Sequence, residues 1–308
     1  MSAPPHSSSR RRWRVIRRRL ALGMVDLSNR LPRPLARTCG EAVGLAFWLF
    51  MRDERERAVE RARAALGRSR EESRKLVRRC AVRMGSYLAD AVRLEVWSRE
   101  ELSRVIRLEG LANLSRALSA GRGAFVLSAH LGNWEVLAAA IAAAGVPFGV
   151  IARRPDDLVL AARLEALRLR WGVESFWRED GPRPILKALR SGRAVGVLID
   201  QATAVESANV PFFGRPARTP TGPARLAIRT GAPVVLVHCV DAPDGTYVGT
   251  FEPPLWVHKE DTSDPVALTA AWTRHIEGWI RQLPHTWVWM HDRWADTSTR
   301  RVREEVAA

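Results

Sequence analysis

The chain has 308 residues, and 46% of them are hydrophobic, which is enough to bury a sizeable core and excludes wholesale disorder. The formal net charge is +16, and such a surface attracts nucleic acid, the headgroups of anionic lipids or an acidic protein. Three widely spaced cysteines show neither a disulfide framework nor a metal-ligand spacing, which is typical of a reducing compartment. The sequence contains no phosphate-binding P-loop, Gly-x-Ser-x-Gly elbow or His-Glu-x-x-His zinc motif.

Residues 1–52 form a segment rich in arginine and apolar side chains, which we predict to associate with a membrane. Arginines dominate the stretch Arg10–Arg19 and alternate there with apolar residues. The later apolar run Ala42–Met51 is too short to cross a bilayer, because a spanning helix takes about 20 residues. The combination favours peripheral or shallowly inserted binding at the anionic cytoplasmic face of a cell inner membrane. A solvated basic tail is the alternative.

The rest of the chain predicts an α/β fold with a mostly parallel central sheet flanked by helices. Residues 53–97 have the periodicity of helices and form a helical preface to an α/β domain that spans residues 53–296, with a charged tail at 297–308. Apolar strands then alternate with helices, which is typical of a parallel sheet covered on both faces. The predicted strands are Ala124–Ala129, Pro147–Ala152, Ala194–Ile199, Pro233–Val240 and Tyr247–Glu252. The predicted helices between and after them are Val136–Ala144, Leu158–Trp171, Pro184–Leu189, Pro223–Arg229 and Pro265–Gln282.

A histidine and a glutamate follow the first of these strands. His130 comes directly after the strand, and Glu135 lies five residues later, where an Ala-rich helix begins. This junction lies at the carboxyl edge of a sheet, where open α/β folds bind ligands. A straight helix would separate the two side chains by about 140°, so they meet only if Leu131-Gly132-Asn133 forms a turn. Imidazole is a base near neutral pH and a carboxylate can fix its tautomer, so we predict a catalytic pair. A histidine that only satisfies a backbone group is the alternative.

Other polar and apolar groups are expected at the same edge of the sheet. Arg154 follows the second predicted strand and Arg168 lies on the next helix, while Asp200 ends the third strand. A Pro-rich loop that contains Phe212 and Phe213 comes next. Each group has a plain structural alternative: surface arginines, a helix cap or turn at Asp200, and core packing for the two phenylalanines. Their common position at one edge favours a functional site.

Six stretches occur in one order along the chain: SAHLGNWE, ARRPDD, LIDQ, VPFFGRPARTPTGPARLA, GAPVVLVH and WVWMHDRW. As an ordered set they resemble the bacterial lipid A late acyltransferases, the lauroyl/myristoyl acyltransferase family. This family belongs to the wider glycerolipid acyltransferase superfamily, whose motif is His-x4-Asp/Glu. The resemblance runs from the Arg-rich N-terminus to about Trp294. It departs from the family at the N-terminus, because the family often carries a clear N-terminal transmembrane helix, and here that region is interrupted by charged and polar residues and Pro32. The match around Arg168 also shifts by a residue when small gaps are introduced.

The resemblance implies an acyltransferase that needs no metal or other cofactor. It makes His130 the general base and Glu135 its partner. The remaining candidates are substrate-binding residues: Asn133, Arg154, Arg168, Asp200, Phe212 and Phe213. Arginines would contact the phosphates of the acceptor, and the phenylalanines would line a groove for the acyl chain.

The chemistry of acyl transfer agrees with this assignment. A hydroxyl is a weak nucleophile at neutral pH, so its attack on an acyl thioester needs a base that takes its proton. The resemblance implies an acyl carrier protein, or else coenzyme A, as the donor of the acyl group. It implies a lipid A precursor of lipopolysaccharide biosynthesis as the acceptor and an anionic membrane surface as the place of reaction. We expect no nucleic-acid partner.

Three other functions remain open at this point. The nearest is an acyltransferase for another glycolipid or phospholipid, namely a phosphatidylinositol mannoside or a lysophospholipid. Glu135 in place of aspartate, and Pro211-Phe212-Phe213-Gly214 in place of a Pro-Glu-Gly motif, favour lipid A. A basic nucleic-acid-binding protein is a remote alternative, since the predicted strands are apolar throughout and show no exposed aromatic platform. A non-catalytic membrane scaffold would follow if His130 and Glu135 lay far apart.

Overall fold

The computed structural model describes residues 6–203, 205–257 and 264–295. Its α-helices are α1 (His6–Arg30), α2 (Arg33–Phe50), α3 (Arg52–Leu66), α4 (Arg70–Arg93), α5 (Arg99–Val105), α6 (Leu111–Leu118), α7 (Trp134–Ala143), α8 (Leu158–Arg170), α9 (Arg183–Arg190), α10 (Gly222–Thr230) and α11 (Pro265–Gln282). Its strands are β1 (Ile106–Glu109), β2 (Ala124–Ser128), β3 (Phe148–Ala152), β4 (Val173–Trp177), β5 (Ala194–Leu198), β6 (Ser207–Phe212), β7 (Arg215–Pro220), β8 (Val234–Asp241) and β9 (Tyr247–Phe251). The predicted tail at 297–308 lies outside the described residues.

The central sheet has seven strands in the order β1-β9-β8-β2-β5-β3-β4. The five strands from β8 to β4 run parallel, while β9 pairs antiparallel with β8 and parallel with β1. Alternate residues of the central strand β2 enter two different cores, since Phe125 and Leu127 belong to one and Ala124 and Val126 to the other. Both faces of the sheet are therefore covered, which confirms the predicted α/β fold.

The five predicted strands are present, and two further strands extend the sheet at its edges. β1 and β4 are short and carry charged residues, Arg107 and Glu109 in one and Glu174 in the other. A strand at the edge of a sheet has a half-exposed surface, so it lacks the continuous apolar pattern of the central strands. The sequence-based reading missed both strands because it searched for apolar runs.

A separate two-stranded hairpin, β6–β7, occupies the stretch that was expected to be a Pro-rich loop. Pro211 lies opposite Pro216, which is possible because no third strand needs their missing N–H groups. The turn between the strands is Phe213-Gly214, and both residues have positive φ, 52° and 71°. Two positive φ values match the twist that favours tight hairpins, although a phenylalanine rarely adopts one.

Helix α2 packs closely against α4 through glycine. A Cβ atom added at Gly85 would lie 1.9 Å from the carbonyl oxygen of Gly40, and one added at Gly44 would lie 2.2 Å from that of Ala81. The two backbones approach each other more closely than any side chain would permit. Helix α2 is therefore packed onto the α/β body, while the domain boundary predicted at residue 52 remains a prediction.

One buried carboxylate, Asp90 of α4, connects α2 to the sheet. Arg33 of α2 donates two hydrogen bonds to it, at 2.9 and 3.0 Å, and Arg37 adds another at 2.5 Å. The hydroxyl of Tyr247 in β9 donates to the same carboxylate at 2.7 Å. Burial of this charge is tolerated because several donors surround it.

No helix among the described residues is long and apolar enough to cross a membrane. Instead, α1 carries an exposed apolar stripe, which we define as Ile16, Leu20, Met24 and Leu27. Their spacing of three or four residues places them on one face of the helix. Within the predicted Arg10–Arg19 cluster, the side chains of residues 10–14 and 17 lie outside the described part of the structure.

Candidate active site

The predicted turn after β2 is present and carries His130. Asn133 caps α7, since its side-chain oxygen accepts a hydrogen bond from the backbone N–H of Val136 at 3.3 Å. Gly132 has φ of 66°, and a Cβ atom there would lie 1.6 Å from the carbonyl oxygen of Cys239. Only glycine fits this position, because both the backbone conformation and the close approach exclude a side chain.

The imidazole of His130 pairs with Asp200, which follows the neighbouring strand β5. The two lie 2.8 Å apart, between His130 Nδ1 and Asp200 Oδ1. The other carboxylate oxygen, Oδ2, accepts hydrogen bonds from the backbone N–H of His130 at 2.9 Å and from the indole N–H of Trp287 at 2.7 Å. Because β2 and β5 are adjacent and parallel, their carboxyl ends bring the two side chains to the same edge of the sheet.

Asp200 is ionised at neutral pH despite its burial. Burial alone raises the pKa of a carboxyl group, but the charge and hydrogen bonds of His130 and the indole of Trp287 lower that of Asp200 to about 2. An ionised carboxylate accepts hydrogen bonds and donates none, so His130 carries its proton on Nδ1. The opposite nitrogen, Nε2, then holds a lone pair, and the imidazole side chain is 21% exposed. This arrangement is that of a general base supported by a buried acid.

The structure corrects the expected pairing of His130 with Glu135. Glu135 binds Arg168 instead, with Arg168 Nη2 2.5 Å from Oε1 and Nε 3.1 Å from Oε2. The reason lies in the geometry of α7, because the first residue of that helix, Trp134, is the one that meets the imidazole. The two rings lie edge to face with centroids 4.9 Å apart. The carboxylate that contacts His130 therefore follows the neighbouring strand β5 and does not belong to α7.

The arginines that were predicted to bind substrate differ in availability. Arg168 is buried and engaged with Glu135, and it also donates to the Ser175 hydroxyl at 3.4 Å. Arg154 lies after β3 with its side chain about half exposed, 3.6 Å from Asp180 and with its guanidinium 5.2 Å from the centre of the Trp177 ring. The guanidinium of Arg154 is therefore accessible to a ligand at the carboxyl edge of the sheet, whereas the guanidinium of Arg168 is occupied by Glu135.

The remaining predicted substrate-binding residues are buried. Asn133 donates to the Tyr87 carbonyl at 2.9 Å and to the Tyr247 hydroxyl at 3.3 Å. It therefore links the turn after β2 to the hydrogen bonds around Asp90, which we call the Asp90 network. Phe212 and Phe213 are 1% and 6% exposed and pack with aromatic rings of the C-terminal segment. The structure supports core packing for both phenylalanines, not an open groove wall.

Sequence reasoning missed the contribution of the segment Thr286–Val288. The backbone of this segment pairs with the backbone of the turn after β2. Gly132 N donates to the Thr286 carbonyl at 2.9 Å, and Val288 N donates to the His130 carbonyl at 3.3 Å. The cluster of five tryptophans between Trp272 and Trp294 was visible in the sequence. No local pattern indicated that one of them reaches Asp200, because 87 residues separate the two in the chain.

Comparisons with known proteins identify the family of the chain. The chain matches the family model of the bacterial lipid A biosynthesis acyltransferases over residues 5–296. It is 30% identical over 233 residues to a phosphatidylinositol mannoside acyltransferase of Mycolicibacterium smegmatis, covering 73% of this chain and 75% of that protein.

Two further comparisons cover different shares of the molecules. A phosphatidylinositol mannoside acyltransferase of Mycobacterium tuberculosis is 32% identical over 161 residues, which are 50% of this chain and 51% of that protein. The crystal structure of the 1-acyl-sn-glycerophosphate acyltransferase PlsC from Thermotoga maritima aligns with a TM-score of 0.40 and 12% identity, covering 82% of this chain and 99% of that one. From the match over nearly its whole length, the chain belongs to the bacterial lipid A biosynthesis acyltransferase family and is an acyltransferase.

Proposed function

We propose that this enzyme transfers a fatty acyl chain from an acyl thioester to a hydroxyl group of a phosphatidylinositol mannoside at a membrane surface. The observation that carries the proposed chemistry is the contact of 2.8 Å between His130 and the buried Asp200. It supplies a base whose free nitrogen is accessible at the edge of the sheet. The proposed acceptor rests on the relatives that are named for acting on it.

The reaction requires two proton transfers and one displacement. His130 Nε2 takes the proton of the acceptor hydroxyl while its oxygen attacks the thioester carbonyl carbon. The new C–O bond forms, the C–S bond breaks, and the imidazolium returns the proton to the departing thiolate. Asp200 stays ionised and stabilises the imidazolium, as the aspartate does in Ser-His-Asp triads. General-base assistance of this kind contributes about 10²–10⁴-fold.

The acceptor headgroup contains a phosphodiester, and positive charge at the carboxyl edge suits it. The half-exposed Arg154 lies in the loop between β3 and α8, and Arg153 precedes it. Guanidinium groups bind phosphate oxygens in a two-point geometry. We assign Arg154 to the headgroup, because Arg168 is already held by Glu135.

A lipid A precursor is the second candidate acceptor, and the description of the matching family favours it. Both acceptors are anionic glycolipids with free sugar hydroxyls, so the His130–Asp200 pair serves either of them. The two differ in the headgroup around the phosphate. The choice between them is therefore a question of headgroup recognition and not of the reaction itself.

We also place the enzyme at the cytoplasmic face of the inner membrane. The apolar stripe of α1 is exposed, and α2 adds exposed side chains at Val43, Phe47 and Phe50. Arg19 and Arg30, which are exposed, also lie on α1. Apolar burial and attraction to anionic lipids act together in such helices, and about 1 kcal/mol per arginine is available near the surface.

The experiment that tests the acceptor uses the purified full-length enzyme and a radiolabelled acyl thioester, supplied in parallel as acyl carrier protein and as acyl-coenzyme A. Phosphatidylinositol mannoside and a lipid A precursor are offered separately in mixed micelles, and the products are identified by mass spectrometry. We expect acylation of the mannoside that is lost in His130→Ala. Acylation of the lipid A precursor alone would transfer the assignment to the second candidate. No transfer to either lipid from either donor by the folded protein would overturn the proposal.

A further inference from the structure

We propose that Trp287 is a positioning residue of the acyl-transfer reaction, which acts by holding the Asp200 carboxylate through its indole N–H. The inference rests on the acyl transfer proposed above. It concerns a side chain far from the His130 motif in sequence, and it acts through Asp200 without contact to substrate.

Trp287 holds the Asp200 carboxylate from outside the His130–Asp200 pair. Among the described residues, Asp200 accepts three hydrogen bonds, and two of them come from His130 itself. The third, from Trp287 Nε1 at 2.7 Å, ties the carboxylate to another part of the fold. Without it, only the two hydrogen bonds from His130 would oppose rotation about the terminal bond, because an Asp side chain has no strong preference there. Rotation would remove Oδ1 from the imidazole.

Trp287 itself is well fixed. It is 1% exposed, and it pairs as an isolated β-bridge with Leu131, the residue after the base. The thiol of Cys80 in α4 donates to its carbonyl oxygen at 2.8 Å. Its ring packs against Phe212 and Trp289, with centroids 5.7 and 4.7 Å away. These contacts fix the indole N–H of Trp287 in the position where it donates to Asp200. A positioning residue needs to be pre-organised in this way.

The other charged and titratable groups near Asp200 do not replace this contact. His291 accepts a hydrogen bond from the backbone N–H of Ala202 at 3.2 Å. Arg293 is buried and donates to the Arg218 carbonyl at 2.6 Å and to the Thr219 hydroxyl. Both side chains interact electrostatically with Asp200. Their hydrogen bonds, however, are made with other partners.

The chain offers a matched control in Trp289. It is 0% exposed, lies two residues away and also donates its indole N–H at 2.7 Å, but to the backbone carbonyl of Pro284. Replacement of either tryptophan by phenylalanine removes one indole donor and a similar volume from the same cluster. Only the replacement of Trp287 removes a donor from Asp200.

The first experiment is a double-mutant cycle on kcat with Trp287→Phe, Asp200→Asn and both together. A lost hydrogen bond to a charged group corresponds to about a 10- to 100-fold fall in rate, so we expect that loss in Trp287→Phe and much less in Trp289→Phe. Trp287→Phe should add little in the Asp200→Asn background, because the carboxylate through which it acts is gone. Equal losses in both backgrounds, or equal losses for the two tryptophans, would overturn the proposal.

The second experiment is independent of activity, and it remains informative if the enzyme proves to use another acceptor. The imidazole Nδ1 proton bound to Asp200 gives a downfield ¹H NMR resonance that His130→Ala identifies by its loss. We expect this resonance to move or broaden in Trp287→Phe and to keep its position in Trp289→Phe. If Trp287→Phe fails to fold, a benzothienylalanine at position 287 keeps the shape of the indole and replaces its N–H by sulfur. An unchanged resonance and unchanged kcat in a folded variant that lacks this N–H would exclude the role of Trp287.

Discussion

Glu135 and Arg168 form a two-point ion pair, with Arg168 Nη2 2.5 Å from Oε1 and Nε 3.1 Å from Oε2. The pair joins the first turn of α7 to the last turn of α8, the two helices on either side of β3 in the chain. Asp200, not Glu135, holds the imidazole of His130. The candidate site therefore contains two carboxylates with separate partners, and each is expected to respond to mutation in its own way.

The ion pair predicts a large asymmetry between single and double substitutions. Arg168→Met leaves the Glu135 carboxylate largely buried without a partner, and we expect a loss of about 3 kcal/mol in the free energy of unfolding. The double variant Glu135→Gln with Arg168→Met should recover part of that loss, because no buried charge then remains. Urea unfolding measures both values. Equal stabilities of the single Arg168→Met and the double variant would contradict this account.

The His130–Asp200 pair predicts non-additive losses of activity. His130→Ala should lower kcat by at least about 10²-fold while the protein stays folded, because the base is absent. Asp200→Asn should also lower kcat strongly, and the double variant should be no worse than His130→Ala alone. Steady-state kinetics with circular dichroism as the folding control provide the measurement. Near-normal turnover by folded His130→Ala would refute the mechanism.

The lowered pKa of Asp200 predicts part of the acid sensitivity of the fold. Its folded-state pKa of about 2 lies below the ordinary value of 3.8, so ionised Asp200 contributes stability that is fully present above about pH 4. This contribution is lost as the pH falls through about 2. Between pH 5 and pH 2 the wild-type protein should therefore lose about 2 kcal/mol more than Asp200→Asn. Unfolding measured across this range tests the difference, and parallel curves would rule it out.

The apolar stripe of α1 predicts binding to lipid. Replacement of Leu20 and Met24 by aspartate should reduce sedimentation of the protein with anionic vesicles, since it removes apolar burial and adds repulsion. Val266→Asp, on the exposed surface of α11, is the control and should sediment normally. High salt should release a substantial fraction of the wild-type protein, because exposed charge contacts are screened. Full binding by the double aspartate variant would show that another surface contacts the membrane.

The charge of the chain predicts a preference between acyl donors. Acyl carrier proteins are acidic, and attraction between oppositely charged proteins weakens as the ionic strength rises. We expect the apparent second-order rate constant with an acyl carrier protein to fall steeply between low and moderate salt. Acyl-coenzyme A should be a poorer donor with a shallower dependence, when the acceptor is saturating. Equal rates and equal salt dependence for the two donors would indicate that no carrier docks on this surface.

Much of the fold followed from local pattern, because the buried strands are apolar and helices separate them. The central strands β2, β3, β5, β8 and β9 could be located within a residue or two. The short edge strands could not, since half-exposed strands resemble loops in sequence. The hairpin β6–β7 was hidden by its prolines, which are excluded from a central strand but not from an isolated pair.

The candidate site shows the same division between local and distant information. His130 and the turn at Gly132 were predictable, because a strand, a turn and a helix succeed one another within a short stretch. Asp200 was singled out by its position after a strand. Its contact with His130 depends on the order of strands in the sheet, which no local pattern specifies. For the same reason the carboxylate nearest in sequence, Glu135, was assigned to the wrong partner.

The Asp90 network has a consequence for the first 52 residues. Arg33 and Arg37 of α2 neutralise Asp90, while Tyr247 joins this carboxylate to Asn133 beside the base. An enzyme begun after residue 52 would retain a buried anion with its arginines gone, and the turn that carries His130 would lose part of its scaffold. A variant trimmed to remove the proposed membrane-binding helices would therefore also disturb the turn that carries His130, and it could not test membrane binding separately from activity.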